Sequence, residues 1–184
     1  MRVIAGSARR LLLKTPVGNE TRPTADKAKE TLFNVLMPYI YSDTDFLDLF
    51  SGSGGIGIEA LSRGARSAVF VERNKQALSC IRDNLKTTSF TDRSEIFAMD
   101  VFSALNQLNG RRDFDIIFMD PPYANDLEKD ILEYIANSSL LREDGVVVVE
   151  ASNDTDFEYA SDLGYEIIKS KIYKNNCHIF LKRA

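Results

Sequence analysis

Residues 46–57, Phe-Leu-Asp-Leu-Phe-Ser-Gly-Ser-Gly-Gly-Ile-Gly, constrain this chain more than any other stretch. Phe46, Leu47, Leu49 and Phe50 form a short apolar run, the pattern of a strand buried on both faces. Gly52, Gly54 and Gly57 follow in the spacing G-x-G-x-x-G, and Ile58, Ala60 and Leu61 then begin a helical pattern. A strand, a glycine turn and a helix in that order make a nucleotide-cofactor site. The glycines let the backbone turn tightly and approach a ligand, and the helix N-terminus offers free N–H groups. Glu72 stands twenty positions after Gly52, at the end of the apolar run 68–71, where a carboxylate can accept hydrogen bonds from two ribose hydroxyls.

A glycine pattern alone also fits a tight structural loop; its flanking strand, helix and acid favour the cofactor reading. Asp48 separates the possible cofactors. A dinucleotide site turns its helix dipole toward a pyrophosphate, which a second carboxylate in the strand end would repel. The same carboxylate suits the cationic amino acid and sulfonium of S-adenosylmethionine, so the strand end points to methyl transfer.

A length of 184 residues fits one domain, 1–184, with a basic arm over about 1–23. Hydrophobic and charged contents of 44% and 27% are those of an ordinary globular protein. No apolar run approaches the ~20 residues that span a bilayer, and no apolar signal segment opens the chain. A cytoplasmic location without membrane association is therefore expected. Cys80 and Cys177 lie far apart without metal-ligand spacing and are expected to be buried free thiols. With His178 the only histidine, neither a histidine triad nor a multi-histidine metal site is expected, and no metal is implied. The net charge is −4, yet residues 1–30 hold seven basic side chains against three acidic ones. A basic arm on an acidic body suggests a polyanion at one end, although a solvated extension would look the same.

Val3-Ile4 and residues 11–13, separated by Gly6 and Arg9-Arg10, predict a β-hairpin or extended arm, and Pro16, Gly18 and Pro23 a loop. Thr24 is the expected N-cap of a helix from 25 to about 37. Strands over 46–50, 68–72, 94–98, 114–119 and 146–149 then alternate with helices over 55–63, 74–86, 101–108 and 127–137, with Gly64 at a C′ position. This alternation is the mark of a parallel sheet covered on both faces. A short helix over 157–163 precedes two last strands, about 165–173 and 177–182, joined by a turn at Asn175-Asn176 into an antiparallel pair.

Four acids, Asp48, Glu72, Asp100 and Asp120, fall at the carboxyl ends of the first four core strands, where open α/β sheets bind ligands. Each could cap the next helix; four in register point instead to a site. Asp100 can accept from an adenine amino group while the Val101 N–H faces a ring nitrogen. Asp120 begins Asp-Pro-Pro-Tyr, where two prolines fix a rigid loop with exposed carbonyls. The Asp120 carboxylate and the Pro121 carbonyl could together accept both N–H bonds of an exocyclic amine, turning its lone pair toward an electrophilic methyl. Tyr123 offers a face on which an unpaired base can stack.

Asp120-Pro121-Pro122-Tyr123 resembles the motif of methyltransferases that act on planar exocyclic or amide nitrogens. With residues 48–54 it resembles the class I S-adenosylmethionine-dependent fold. More narrowly, Arg22-Pro-Thr-Ala-Asp-Lys-Ala-Lys-Glu-Thr-Leu-Phe33 and Gly57-Ile-Glu-Ala-Leu-Ser-Arg-Gly-Ala65 resemble the RsmD family, over essentially the whole chain, with residues 173–183 the part least like it. The resemblance implies a Rossmann-like α/β fold: a seven-stranded, mostly parallel sheet, a C-terminal antiparallel hairpin and a small N-terminal β-hairpin extension. It implies S-adenosyl-L-methionine as cofactor and, as substrate, the N2 amine of a guanine in 16S rRNA of the small (30S) ribosomal subunit.

Residue reading and resemblance together give an expected site. Asp120, Pro121 and Tyr123 carry the chemistry. Asp48, Phe50, Gly52, Gly54, Gly57, Glu72, Arg73, Asp100 and Val101 face the cofactor. Arg9, Arg10, Lys14, Arg22, Thr24, Lys27 and Pro122 face the RNA, the basic ones through phosphates. Three other readings remain at this stage. Adenine N6 is a second substrate for the same motif, although 184 residues leave no room for a DNA target-recognition domain. An NAD-dependent oxidoreductase conflicts with Asp48 and lacks a Tyr-x-x-x-Lys pair. A non-catalytic RNA-binding or assembly protein would have no need of four acids at the strand ends. A monomer is the default expectation.

Overall fold

A computed structural model describes residues 1–16, 23–122 and 127–184, without the side chains of residues 23–25. Its helices are α1 (Pro23–Leu36), α2 (Gly55–Ser62), α3 (Lys75–Thr88), α4 (Val101–Leu108) and α5 (Leu127–Ala136). Its strands are β1 (Asp45–Leu49), β2 (Ser67–Val71), β3 (Ser94–Phe97), β4 (Phe114–Met119), β5 (Leu141–Ser152), β6 (Tyr165–Ile172) and β7 (Asn176–Arg183). They form one sheet in the order β3-β2-β1-β4-β5-β7-β6, parallel from β3 to β5 and antiparallel where β7 enters. This is the expected seven-stranded sheet with a C-terminal antiparallel hairpin. No described helix is long and apolar enough to cross a membrane.

Strand residues alternate between two apolar layers. Leu47, Leu49, Ile117, Met119, Val147 and Val149 pack with α4 and α5, while Phe46, Ile116, Phe118, Val146 and Val148 pack with α1, α2 and α3. Asp48, Asp120 and Glu150 continue the second series by strand parity and therefore share the α1–α2 face. The chain visits β1, β2 and β3 in one direction, then crosses back to β4 on the other side of β1. The carboxyl ends of β1 and β4 consequently flank the switch point where open sheets leave a crevice.

Several local expectations are corrected. Phe50 is not a strand residue: it takes a left-handed φ of 61°, which turns the chain out of β1 into the glycine loop. β2 stops at Val71, one residue before Glu72, whose N–H still bonds the Phe97 carbonyl at 3.1 Å. α1 starts at Pro23, so Thr24 lies within its first turn and does not cap it; proline fits there because its missing N–H would have no helical partner. β5 extends from Leu141 to Ser152, with an irregularity opposite Phe114/Ile116 that the Val146–Val149 run alone does not reveal. The helix read over 157–163 is a single 3-10 turn, Glu158–Ala160. Asn176 already belongs to β7, so the hairpin closes over residues 173–176, with the Tyr173 N–H bonded to the Asn176 carbonyl at 2.8 Å. Cys80 is partly exposed; only Cys177 is buried. Gly64 stands as expected at C′ with φ 115°, and the Gly64→Leu61 and Ala65→Ala60 backbone bonds complete a Schellman ending.

The N-terminal arm makes one antiparallel bridge, Arg2 to Leu12, and lies against α2. Val3, Ala8 and Leu13 are buried. Glu59 of α2, fully buried, accepts from the Ile4 N–H at 2.8 Å, the Ala5 N–H at 3.0 Å and Arg63 Nε at 2.8 Å, with Lys29 Nζ of α1 at 3.5 Å. One carboxylate thus joins the arm, α1 and α2, and burial holds the Lys29 ammonium below its usual range despite that partner. Glu59→Ala would leave a buried lysine uncompensated and two N–H groups unpaired. The expected loss is about 3–5 kcal/mol of unfolding free energy in urea titrations; a loss near zero would show that the arm is held by its apolar contacts alone.

Candidate active site

The first turn of the site is built by the glycines. Gly52 and Gly54 take φ of 55° and 78°, conformations that side chains strain. Gly57 is needed for another reason: a Cβ there would stand 2.4 Å from the Phe70 ring and 3.2 Å from Asp48 Oδ2, so only glycine lets α2 approach β1 and β2 this closely. Ser51 Oγ ties the loop to the Asp48 carbonyl at 2.6 Å, and Asn84 Nδ2 of α3 holds the Ser53 carbonyl at 2.9 Å.

Asp48 is 1% exposed, and its Oδ2 accepts the Gly57 N–H at 2.9 Å. Burial pushes its carboxyl up to about 7 against that hydrogen bond, with the Asp120 and Glu72 charges adding to the rise. Glu72 lies above the loop: Oε2 accepts the Gly52 N–H at 2.9 Å, and Oε1 accepts the Arg73 and Asn74 N–H groups at 2.8 and 2.7 Å. A carboxylate has about four acceptor positions, so ribose hydroxyls can add to these bonds. Asp100 is the N-cap of α4, taking the Ser103 N–H at 3.0 Å and the Ser103 hydroxyl at 2.6 Å, and the Ser103 bonds hold its carboxyl below the usual range. Capping and ligand binding are compatible there, because Asp100 stays exposed and Val101 begins the helix beside it.

Asp120 follows β4. Leu49 pairs with Met119, so the strand register sets Phe50 against Asp120 across the crevice. Asp120 keeps exposed surface toward the cleft, yet the surrounding walls exclude enough water to push its carboxyl up to about 7, with Glu150 the charge that adds to it. Pro121 is buried and Pro122 exposed. Tyr123, Arg22 and the Thr24 side chain lie outside the described residues.

The basic residues divide. Arg9, Arg10 and Lys27 are exposed. The turn carrying Arg9 and Arg10 packs at the C-terminal end of α2, where Ser7 N–H meets the Ser62 carbonyl at 2.8 Å, away from the glycine loop. Lys14 is paired at 2.7 Å with Asp83 on the surface, so it faces phosphates only by exchanging that partner. Sequence reasoning missed Asn84, 1% exposed, which grips both the glycine loop and the backbone of Lys14. It also missed Glu150 and His178. A polar residue on the apolar face of α3 was the available signal for the first; a carboxylate ending the Val146–Val149 run was the signal for the second.

The sheet order, the glycine turn and the acids at the switch point define a class I S-adenosylmethionine-dependent methyltransferase. The protein belongs to the RsmD family: the family model described as "Conserved hypothetical protein 95" matches residues 1–182. Among curated relatives, YlbH of Bacillus subtilis is 41% identical over 93% of this chain and 92% of its own length. Ribosomal RNA small subunit methyltransferase D of Haemophilus influenzae is 35% identical over 84% of this chain and 80% of its own. Among solved structures, YhhF of Escherichia coli superposes with a TM-score of 0.85 at 27% identity, covering 100% of this chain and 97% of that one.

The residues fit S-adenosylmethionine. Nothing described lies within 4 Å of a Cβ placed on Gly52, so the loop presents bare backbone there, beside the Glu72 carboxylate that accepts the Gly52 N–H. Because the Asp48 carboxyl is raised, this group costs the fold nothing below about pH 4, where folded and unfolded chains both hold the proton. Its cost grows as pH rises toward 7, above which the folded chain has released the proton too. Asp48→Asn should therefore raise the ligand-free Tm at pH 8 by roughly 2–6 °C, with the gain vanishing near pH 4, while weakening cofactor binding. A Tm difference that does not change with pH would contradict a buried, raised carboxyl.

Proposed function

We propose that this protein transfers a methyl group from S-adenosylmethionine to the exocyclic N2 amine of a guanine in 16S rRNA of the small ribosomal subunit. The observation that carries the reading is the Asp120-Pro121 step at the β4 end, directly across the switch point from β1 and its glycine loop. The printed name of the H. influenzae relative supports small-subunit rRNA as the substrate class.

The cofactor, when bound over the glycine loop, supplies an electrophilic methyl on a positively charged sulfur. Everything else falls to the chain. The lone pair of guanine N2 is delocalised into the ring and is a weak nucleophile. Asp120 and the Pro121 carbonyl accept its two N–H bonds, localise the lone pair and hold it at near-attack distance. As nitrogen becomes cationic, the Asp120 carboxylate stabilises the growing charge. Buried Pro121 fixes the carbonyl, and exposed Pro122 carries the loop toward the base. Tyr123 stacks on the base, and Arg22 and Thr24 line its entry. Arg9, Arg10 and Lys27 hold phosphates, which positions the RNA without reading sequence. The protein acts in the cytoplasm as a monomer.

The test is transfer of labelled methyl to small subunits lacking their native methylations, with naked 16S rRNA and DNA alongside and the modified nucleoside identified by mass spectrometry. N2-methylguanine on rRNA is expected; N6-methyladenine would overturn the substrate and keep the mechanism. Asp120→Ala should lower kcat about a thousandfold while leaving the cofactor Kd within about threefold, and retention of full activity would refute the proposed chemistry. Arg10→Ala should weaken RNA binding and flatten its dependence on log salt by about one unit, without changing kcat.

A further inference from the structure

The C-terminal hairpin carries a polar cluster, built around the buried His178, beside Asp120. β4 and β5 pair in parallel with Met119 opposite Val149, so the next step of the register sets Asp120 beside Glu150 on the α1–α2 face. Glu150 in turn pairs with His178 on β7. His178, the only histidine in the chain, is 2% exposed, with Nε2 3.0 Å from Glu150 Oε2 and Nδ1 3.2 Å from the Tyr173 hydroxyl. Its ring stands edge-on to Phe118 and Tyr173, with centroids 6.3 and 5.0 Å away. Asn176 Nδ2 donates to the other Glu150 oxygen. Tyr173 also meets the Thr31 side chain of α1, the helix that carries part of the Arg22–Phe33 segment.

A neutral imidazole satisfies every contact in one tautomer: the Tyr173 hydroxyl donates to Nδ1, and the Nε2–H donates to Glu150. Glu150 therefore has a donor on each oxygen. No donor among the described residues reaches the Asp120 carboxylate, which is raised by its surroundings and by the Glu150 charge. Two neighbouring carboxylates resist ionising together, and the one with more donors keeps its charge. We propose that His178, with Tyr173 and Asn176, fixes the Glu150 side chain beside Asp120, and that this neighbouring carboxylate makes Asp120 the proton acceptor of the transfer.

The inference rests on the Asp120 chemistry proposed above and assigns it a further step. As the N2–C bond forms, the methyl–sulfur bond breaks with its electron pair going to sulfur. The N2–H bond then breaks, its electrons return to nitrogen, and the proton goes to an Asp120 oxygen. An isolated carboxylate is a poor acceptor at neutral pH, whereas one raised to about 7 is matched to the task. His178 is a positioning residue in this scheme, because it acts through Glu150. The groups facing Asp120 are Glu150 from β5 and Asp48 from β1. Those facing Glu150 are Asp120, His178 and Cys177 from β7, and Tyr173 from the turn.

The experiment is a carbon-13 NMR titration of the aspartate carboxyls in cofactor-free protein, with the Asp120 signal identified by its loss in Asp120→Asn. Wild type should titrate near 7. Glu150→Gln, which removes the charge without changing shape, should move the midpoint down by about one pH unit or more. His178→Phe keeps a ring against Phe118 but removes the donor. Glu150 then loses the contact that holds it beside Asp120, and the Asp120 midpoint should fall as well. In wild type and Glu150→Gln, kcat would be compared on small subunits, with a several-fold fall and an unchanged KM for RNA expected. A cluster that only braces the hairpin would lower Tm in both variants and leave the Asp120 midpoint in place, which overturns the inference. The titration needs neither cofactor nor RNA. Failure of wild type to methylate rRNA would therefore count against the proposed substrate, and an unmoved midpoint in an active enzyme would count against the relay alone.

Discussion

The whole site hangs on one hydrogen bond between Asp48 and the Gly57 N–H. It joins the end of β1 to the first turn of α2 at a place where a Cβ on Gly57 would meet both Phe70 and the carboxylate itself. Because helix and strand are that close, the glycine loop between them is pulled tight over the crevice and shows its backbone outward. The cost is a carboxyl buried so completely that it is raised to about 7. A positive ligand above the loop would reverse that cost. Stability is thereby given up in the free protein at the point where a cationic cofactor restores it.

The acids form a graded set of environments. Asp100 is exposed and held down by donors from Ser103; Glu72 is bonded to three backbone N–H groups; Asp48 and Asp120 are raised by burial. The first two have acceptor positions left for a neutral ribose or adenine. In the proposed transfer the last two stand at the reacting end, where charge appears and disappears. On that reading, position along the strand ends separates acids that hold a ligand from acids that respond to its charge.

A second set of contacts fixes the walls. Glu59 joins the N-terminal arm to α1 and α2, Asn84 joins the same arm to the glycine loop, and Tyr173 reaches α1 at Thr31 from the last hairpin. Both chain ends are therefore stitched to the elements around the crevice. The arm looked from its charge like an extension; it is instead anchored by Val3, Ala8 and Leu13, with Arg9 and Arg10 facing water.

What the sequence determined by itself was everything governed by local pattern. Alternating apolar runs marked the strands, and glycine spacing marked the turn at residues 52–57. Those signals lie within a few residues of each other and reflect backbone sterics and periodicity, so they can be read along the chain. The tertiary structure decided what depends on neighbours far apart in sequence. It showed Asp48 bonded to Gly57, not open to solvent. It closed the hairpin over residues 173–176, and placed Glu150 and His178 beside Asp120 through a β5–β7 register that no linear spacing encodes. A carboxylate and a histidine 28 positions apart carry no mark of their pairing. Only the packing of strands, which buries the His178 ring and sets Glu150 opposite it, brings the pair together.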